Sequence, residues 1–134
     1  MSFVLDTSVV SALMRGESSV VERLKAVASD RVSVPRPVFA EIEYGIERRP
    51  RSRRRDLLRG RYELVAKELR RAPWTDEVSR WFGIVKAGLE RTGERLEDFD
   101  VAIAAHALAT GATLVTANHD HMARIPGLKI EGWT

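Results

Sequence analysis

Met1-Ser2-Phe3-Val4-Leu5-Asp6-Thr7-Ser8-Val9-Val10-Ser11-Ala12-Leu13-Met14 opens the chain, and its reading decides the fold. Phe3–Leu5 is an apolar run of strand length. Asp6-Thr7-Ser8 is a triplet suited to both the end of a strand and the N-cap of a helix. Val9 to Met14 then reads as helix, punctuated by Gly16. The same grammar returns near the other end of the chain. Thr113–Thr116 reads as a strand, with Asn118 and Asp120 directly after it.

Between these ends, strand and helix signals alternate. Ser18–Ala28 is amphipathic, with Val20, Val21, Leu24 and Val27 at helical spacing. Val32 and Val34 form a short strand closed by Pro35, and Pro37 suits the first position of a helix that runs to about Glu47. Pro50 breaks that helix. The next spans Arg53 to about Arg70, with Leu57, Leu58, Tyr62, Val65 and Leu69 on its apolar side. Thr75-Asp76-Glu77 starts a helix reaching Arg91, and Asp98 starts another that Gly111 stops. Leu128–Ile130 is a last strand. Alternation of this kind predicts an α/β fold: a central, mostly parallel sheet of about four to five short strands flanked by helices.

Length and composition agree with one domain over residues 1–134. With 44% hydrophobic and 31% charged residues, the chain can bury a core and carry a solvated surface. It has no cysteine, which excludes a disulfide scaffold, cysteine-ligated zinc, iron–sulfur chemistry and thiol catalysis. No apolar run reaches the roughly 18–20 residues of a membrane span, and the N-terminus lacks the basic start of a signal peptide. A cytoplasmic location is the expectation. The net charge is only +3, but it is unevenly spread. Arg48 to Arg71 holds eleven Arg and Lys against three Asp and Glu, a local +8 that leaves −5 for the rest. Such a block is a candidate footprint for a polyanion.

In open parallel sheets, ligands sit at the carboxyl ends of the strands. Asp6 falls there. Asp98 and Asp100 open the Ala-rich helix, and Asn118 and Asp120 follow the Thr113–Thr116 strand. Glu41 and Glu43 flank the stripe Val38, Ile42, Ile46, and periodicity leaves open which of them turns inward. Converging carboxylates repel one another unless a cation joins them. Mg²⁺ takes oxygen ligands and serves phosphoryl chemistry. His119-x-His121 is a weaker candidate for a metal, and Trp74, Trp81 and Trp133 are candidates for stacking on bases. There is no Gly-rich phosphate loop and no Gly-x-Ser-x-Gly elbow.

Four stretches taken together resemble a known family. They are Val4-Leu5-Asp6-Thr7-Ser8, Ala40-Glu41-Ile42-Glu43-Tyr44-Gly45, Asp98-Phe99-Asp100-Val101-Ala102-Ile103-Ala104-Ala105 and Thr113-Leu114-Val115-Thr116-Ala117-Asn118. In this order they are similar to the PIN-domain ribonucleases, specifically the VapC-type toxins of bacterial type II toxin–antitoxin pairs. The resemblance implies a PIN-like fold and an Mg²⁺-dependent endoribonuclease, with Mn²⁺ able to substitute. Metal-activated water would hydrolyse RNA phosphodiester bonds to leave 5′-phosphate and 3′-OH ends. Asp6 and Asp100 would be the main metal ligands, with Glu41 as a metal or water partner and Ser8 orienting Asp6. The family's Glu-x-x-x-Gly spacing selects Glu41 over Glu43. Where relatives carry a fourth acid or Asn, this chain offers Asn118, or Asp120, or neither. A homodimer and a small DNA-binding VapB-type antitoxin are also implied.

Two other classes compete. In a phosphotransfer domain with Asp6 as nucleophile, a second Asp usually stands two residues on, where this chain has Ser8. A silent binding module would not need Asp6, Glu41 and Asp100 all intact. Arg48, Arg49, Arg51, Arg53, Arg54 and Arg55 are the expected grip on the RNA backbone, since the planar guanidinium fork suits phosphate.

Overall fold

The computed structural model describes all residues 1–134. Five parallel strands form one sheet: β1 (Phe3–Leu5), β2 (Val32–Pro35), β3 (Arg71–Ala72), β4 (Thr113–Val115) and β5 (Ile130–Glu131), in the order β3-β2-β1-β4-β5. Seven helices connect them: α1 (Thr7–Met14), α2 (Ser18–Ala26), α3 (Arg36–Glu47), α4 (Arg53–Glu68), α5 (Asp76–Arg91), α6 (Asp98–Thr110) and the single turn α7 (His119–Met122). The expected α/β architecture is the one observed. No helix is long and apolar enough to cross a membrane.

Local signals placed most of these elements. Asp6 caps α1, accepting from Val9 N at 3.1 Å. Ser52 and Thr75 do the same for α4 and α5, through Arg55 N and Val78 N. Gly111 ends α6 in the left-handed conformation at φ 67°, which a side chain would resist. The chain then turns straight into β4, with Ala112 N donating to Ala107 O.

α6 shows why periodicity is weak in places. Val101 to Ala107 are all buried, because α6 packs against α5, α3, β1 and β4. A helix enclosed on every side needs no polar face. His106 is the polar exception: its Nδ1 contacts Ala102 O at 2.9 Å, its ring meets Trp74 edge-on, and burial pushes its pKa down. Leu114 is fully buried at the sheet centre. Leu114→Ala should cost about 2–5 kcal/mol, seen as a lower denaturant midpoint at unchanged slope.

Two expectations need correction, and one strand had no expectation. Leu57 is not on the apolar side of α4. It is 63% exposed, because the inward stripe runs through Leu58, Tyr62, Val65, Ala66 and Leu69. The two-residue β3, paired with Val34 and Pro35, was not expected, since two residues carry no periodicity. The last strand is Ile130–Glu131, not Leu128–Ile130, because Leu128 is held in a turn whose N–H bonds Ile125 O.

Candidate active site

The sheet order reverses at β1. The chain moves from β1 through β2 to β3 on one side, then returns to β4 on the other. Such a switch point opens a crevice beyond the carboxyl ends of the strands. Asp6 follows β1 directly, and its N–H donates to Val115 O of β4 at 3.1 Å. Asp6 is only 2% exposed. Its Oδ1 accepts the Ser8 hydroxyl at 2.5 Å as well as Val9 N. Ser8 Oγ in turn accepts Ala117 N at 3.1 Å, so one hydroxyl ties the acid to the segment after β4. The hydrogen bond expected from Ser8 to Asp6 is present.

Glu41 lies on α3 and turns toward α1, where the Thr7 hydroxyl donates to its Oε1 at 2.5 Å. Glu43 turns the other way and pairs with Arg59 of α4 at 2.8 Å. The choice that periodicity left open is therefore made by partners on two different helices.

Asp100, in the first turn of α6, is half-buried. Burial raises its pKa, and the charges of Glu41 and Asp6 raise it further, while His121 opposes the rise. The three acids, one capping α1 and the others on α3 and α6, thus share one electrostatic neighbourhood. They do not close into a cage: no three Asp, Glu or His side chains stand in metal-holding geometry. Their chemistry, anionic oxygens from three elements with one carboxyl held toward its neutral form by burial and by the other two, fits a hard divalent cation.

Asp98 stays outside this group, paired with Lys86 at 2.9 Å. Asp120 is exposed on α7. Asn118 is exposed and precedes α7, held by its backbone N–H to Thr116 Oγ1 at 2.9 Å. His119 and His121 do not form a pair. His119 Nε2 lies 2.9 Å from where a Cβ on Gly132 would stand, while His121 shares a cavity of about 410 Å³ with Asp100, Glu97 and Arg95. Trp133 is buried against Phe3, which removes it as a stacking platform.

Thr7, Glu97, Arg95 and His121 complete the surroundings of the acids. The sequence offered His121 only as half of a separate metal pair with His119, and Thr7 only by its position between Asp6 and Ser8; Glu97 and Arg95 carried no signal.

The basic block divides in two. Arg55 and Arg59 are committed to α3: Arg55 to Glu47 at 2.6 Å, Arg59 to Glu43 and Glu47 at 2.8 and 3.3 Å. The hydrogen bond and charge of Arg55 hold Glu47 below the usual carboxylate range. Arg55, expected on the RNA backbone, therefore already has a carboxylate partner. Arg48, Arg49, Arg51, Arg53 and Arg54 are exposed, and Arg48 lies over the Tyr44 ring.

Known proteins of similar sequence and shape agree with this architecture. The chain is 28% identical to Ribonuclease VapC2 of Rickettsia felis, over 99% of this chain and 98% of that protein. It is 25% identical to the tRNA(fMet)-specific endonuclease VapC of Salmonella typhimurium, with the same coverage. The crystal structure of VapBC2 from Rickettsia felis, bound to a DNA fragment from their promoter, contains a chain that superposes with a TM-score of 0.89 at 26% identity, covering all of both chains. The family pattern described as PIN domain matches residues 3–128, and the chain belongs to the PIN-domain family.

Proposed function

We propose that this protein is a divalent-metal-dependent endoribonuclease, the toxin of a VapBC-type toxin–antitoxin pair. The observation that carries the reading is the placement of Asp6, Glu41 and Asp100 in one electrostatic neighbourhood at the switch point, where burial first, and then the charges of Glu41 and Asp6, hold Asp100 toward its neutral form. Full-length similarity to proteins named as VapC ribonucleases supports the RNA substrate. Similarity to a toxin solved with its antitoxin supports a VapB-type partner. The resemblance further suggests a homodimer, and an RNA substrate suggests action in the cytoplasm.

Asp6 and Asp100 would hold Mg²⁺ or Mn²⁺, with Glu41 beside them. The cation would lower the pKa of water and stabilise charge on the phosphoryl oxygens. The chain's own residues do the positioning. Ser8 and Val9 N occupy one oxygen of Asp6 and set its orientation. Thr7 occupies Oε1 of Glu41, so Oε2 would be the atom that takes a proton from the attacking water. The water oxygen would bond to phosphorus, the P–O3′ bond would break, and the departing 3′ oxygen would take a proton from solvent water while Glu41 returns its proton to solvent. The 2′-OH takes no part, so the products carry 5′-phosphate and 3′-OH ends.

The test is end-group analysis of RNA cleaved by the purified protein, with and without chelator. Cleavage dependent on Mg²⁺ or Mn²⁺ with 5′-phosphate ends supports the reading. Full activity in chelator, or 2′,3′-cyclic phosphate ends, overturns it. A second expectation concerns Thr7. Thr7→Val keeps the shape at the start of α1 but removes the hydroxyl. Activity should fall roughly 10–100-fold, the usual effect of losing an outer-shell partner, and Thr7→Ser should restore most of it.

A further inference from the structure

The grooves on the two sides of the acidic cluster are unlike. On the α3–α4 side, a groove of about 340 Å³ begins at Glu41 and Thr7 and includes Arg48, Arg49 and Leu58. Arg49 and Leu58 also line the next hollow, about 430 Å³, whose other residues are Arg54, Leu57 and Arg61. The two hollows are therefore neighbours, with Arg49 and Leu58 as their common wall. Arg54 and Arg61 are seven positions apart on α4, so they share a face about 10 Å long. The acids that could neutralise this row do not face it freely, because Glu43 and Glu47 are taken by Arg59 and Arg55. On the other side, the cavity beside Asp100 has one permanent cation, Arg95, against Glu97, Asp98 and Asp100.

We propose that single-stranded RNA is gripped on one side of the acidic cluster only, its phosphates running from Glu41 over Arg49 to Arg54 and Arg61. This rests on the ribonuclease reading and deepens it by assigning the strand a path. Charge complementarity carries the choice of occupant. From Glu41 outward every charged side chain lining the path is an arginine, and an arginine row along one helix face suits the repeating anion of a nucleic acid backbone. Leu57 and Leu58 between the arginines give ribose and base faces an apolar surface. The grip is blind to sequence, since none of the three arginines has to meet a base edge.

The test uses the full chain carrying Asp100→Asn, in chelator, with a labelled mixed-sequence single-stranded RNA titrated at several salt concentrations. Adding Arg49→Gln, Arg54→Gln and Arg61→Gln should weaken binding at low salt. All three side chains are exposed, so the fold should tolerate the change. The log–log salt slope should flatten by about 2, at roughly 0.7 per lost phosphate contact. The affinity gap should then narrow about twentyfold between roughly 50 and 200 mM salt. Removing as much charge elsewhere in the block, with Arg51→Gln, Arg53→Gln and Arg70→Gln, should flatten the slope by less than half as much.

Equal slopes in the two triple variants would reduce the path to bulk charge and overturn it. An unchanged slope and affinity in the groove variant would overturn it too, and weakened antitoxin binding in that case would give the groove to the protein partner. With active protein, trimming a cleavable RNA from one end should lower kcat/KM, while trimming from the other should not. Equal losses from both ends would overturn the one-sided grip. RNA binding with the predicted slopes but no cleavage would sink the nuclease reading and leave the path standing. Cleavage with unchanged slopes would do the reverse.

Discussion

Asp100→Asn is expected to lower ribonuclease activity about a thousandfold while making the metal-free protein more stable at neutral pH. The size of the first effect follows from what the carboxylate is for. Charge stabilisation by a held cation is worth several kcal/mol, and each 1.36 kcal/mol is about tenfold in rate. The amide keeps the shape but gives up the charge that would hold the ion. The second effect follows from the raised pKa of Asp100, caused first by burial and then by Glu41 and Asp6. A carboxyl whose folded pKa lies above its unfolded value is a cost to folding once it ionises. Below the ordinary Asp pKa of about 3.9, aspartate and asparagine are both uncharged there, and the variant has no advantage. The advantage should grow as pH rises from that value to the raised folded pKa and stay level above it. Denaturant midpoints measured across pH in chelator check this. A variant less stable than the parent at neutral pH would show that the acids do not repel one another as described.

Glu41→Gln and Glu43→Gln should differ sharply although they stand two residues apart on one helix. Glu41→Gln removes a charge from the acidic cluster and changes the group that takes the Thr7 hydroxyl. A loss of about a hundredfold or more is expected, in line with removing a positioned acid–base group. Glu43→Gln loses an exposed ion pair to Arg59, and pairs of this kind contribute little to stability. Its activity should stay within about threefold of the parent, the small effect usual for surface changes. Initial rates on one RNA, with unfolding curves for both variants, separate the two. Comparable damage from the two substitutions would mean that the orientation of α3 described above is wrong in solution.

The sequence alone determined the alternation of strands and helices, the helix starts at the Asp6 triplet and at Thr75, and the stop at Gly111. These are legible because they depend on neighbours a few residues away. It also placed Asp6 at a strand end, and the order of the four matching stretches pointed to Glu41 and Asp100. Tertiary structure alone decided which way each side chain turns. Glu41 faces Thr7, 34 positions away, whereas Glu43 faces Arg59. Both glutamates flank the same apolar stripe, so only the helices packed on either side distinguish them. The same holds for the arginines. Composition marks one basic block, but Arg55 and Arg59 are spent on the acids of α3 while Arg49, Arg54 and Arg61 face open grooves. Leu57 turned outward, and β3 formed from two residues, for a related reason. Each depends on surfaces brought together by distant parts of the chain, and local periodicity carries no record of those surfaces.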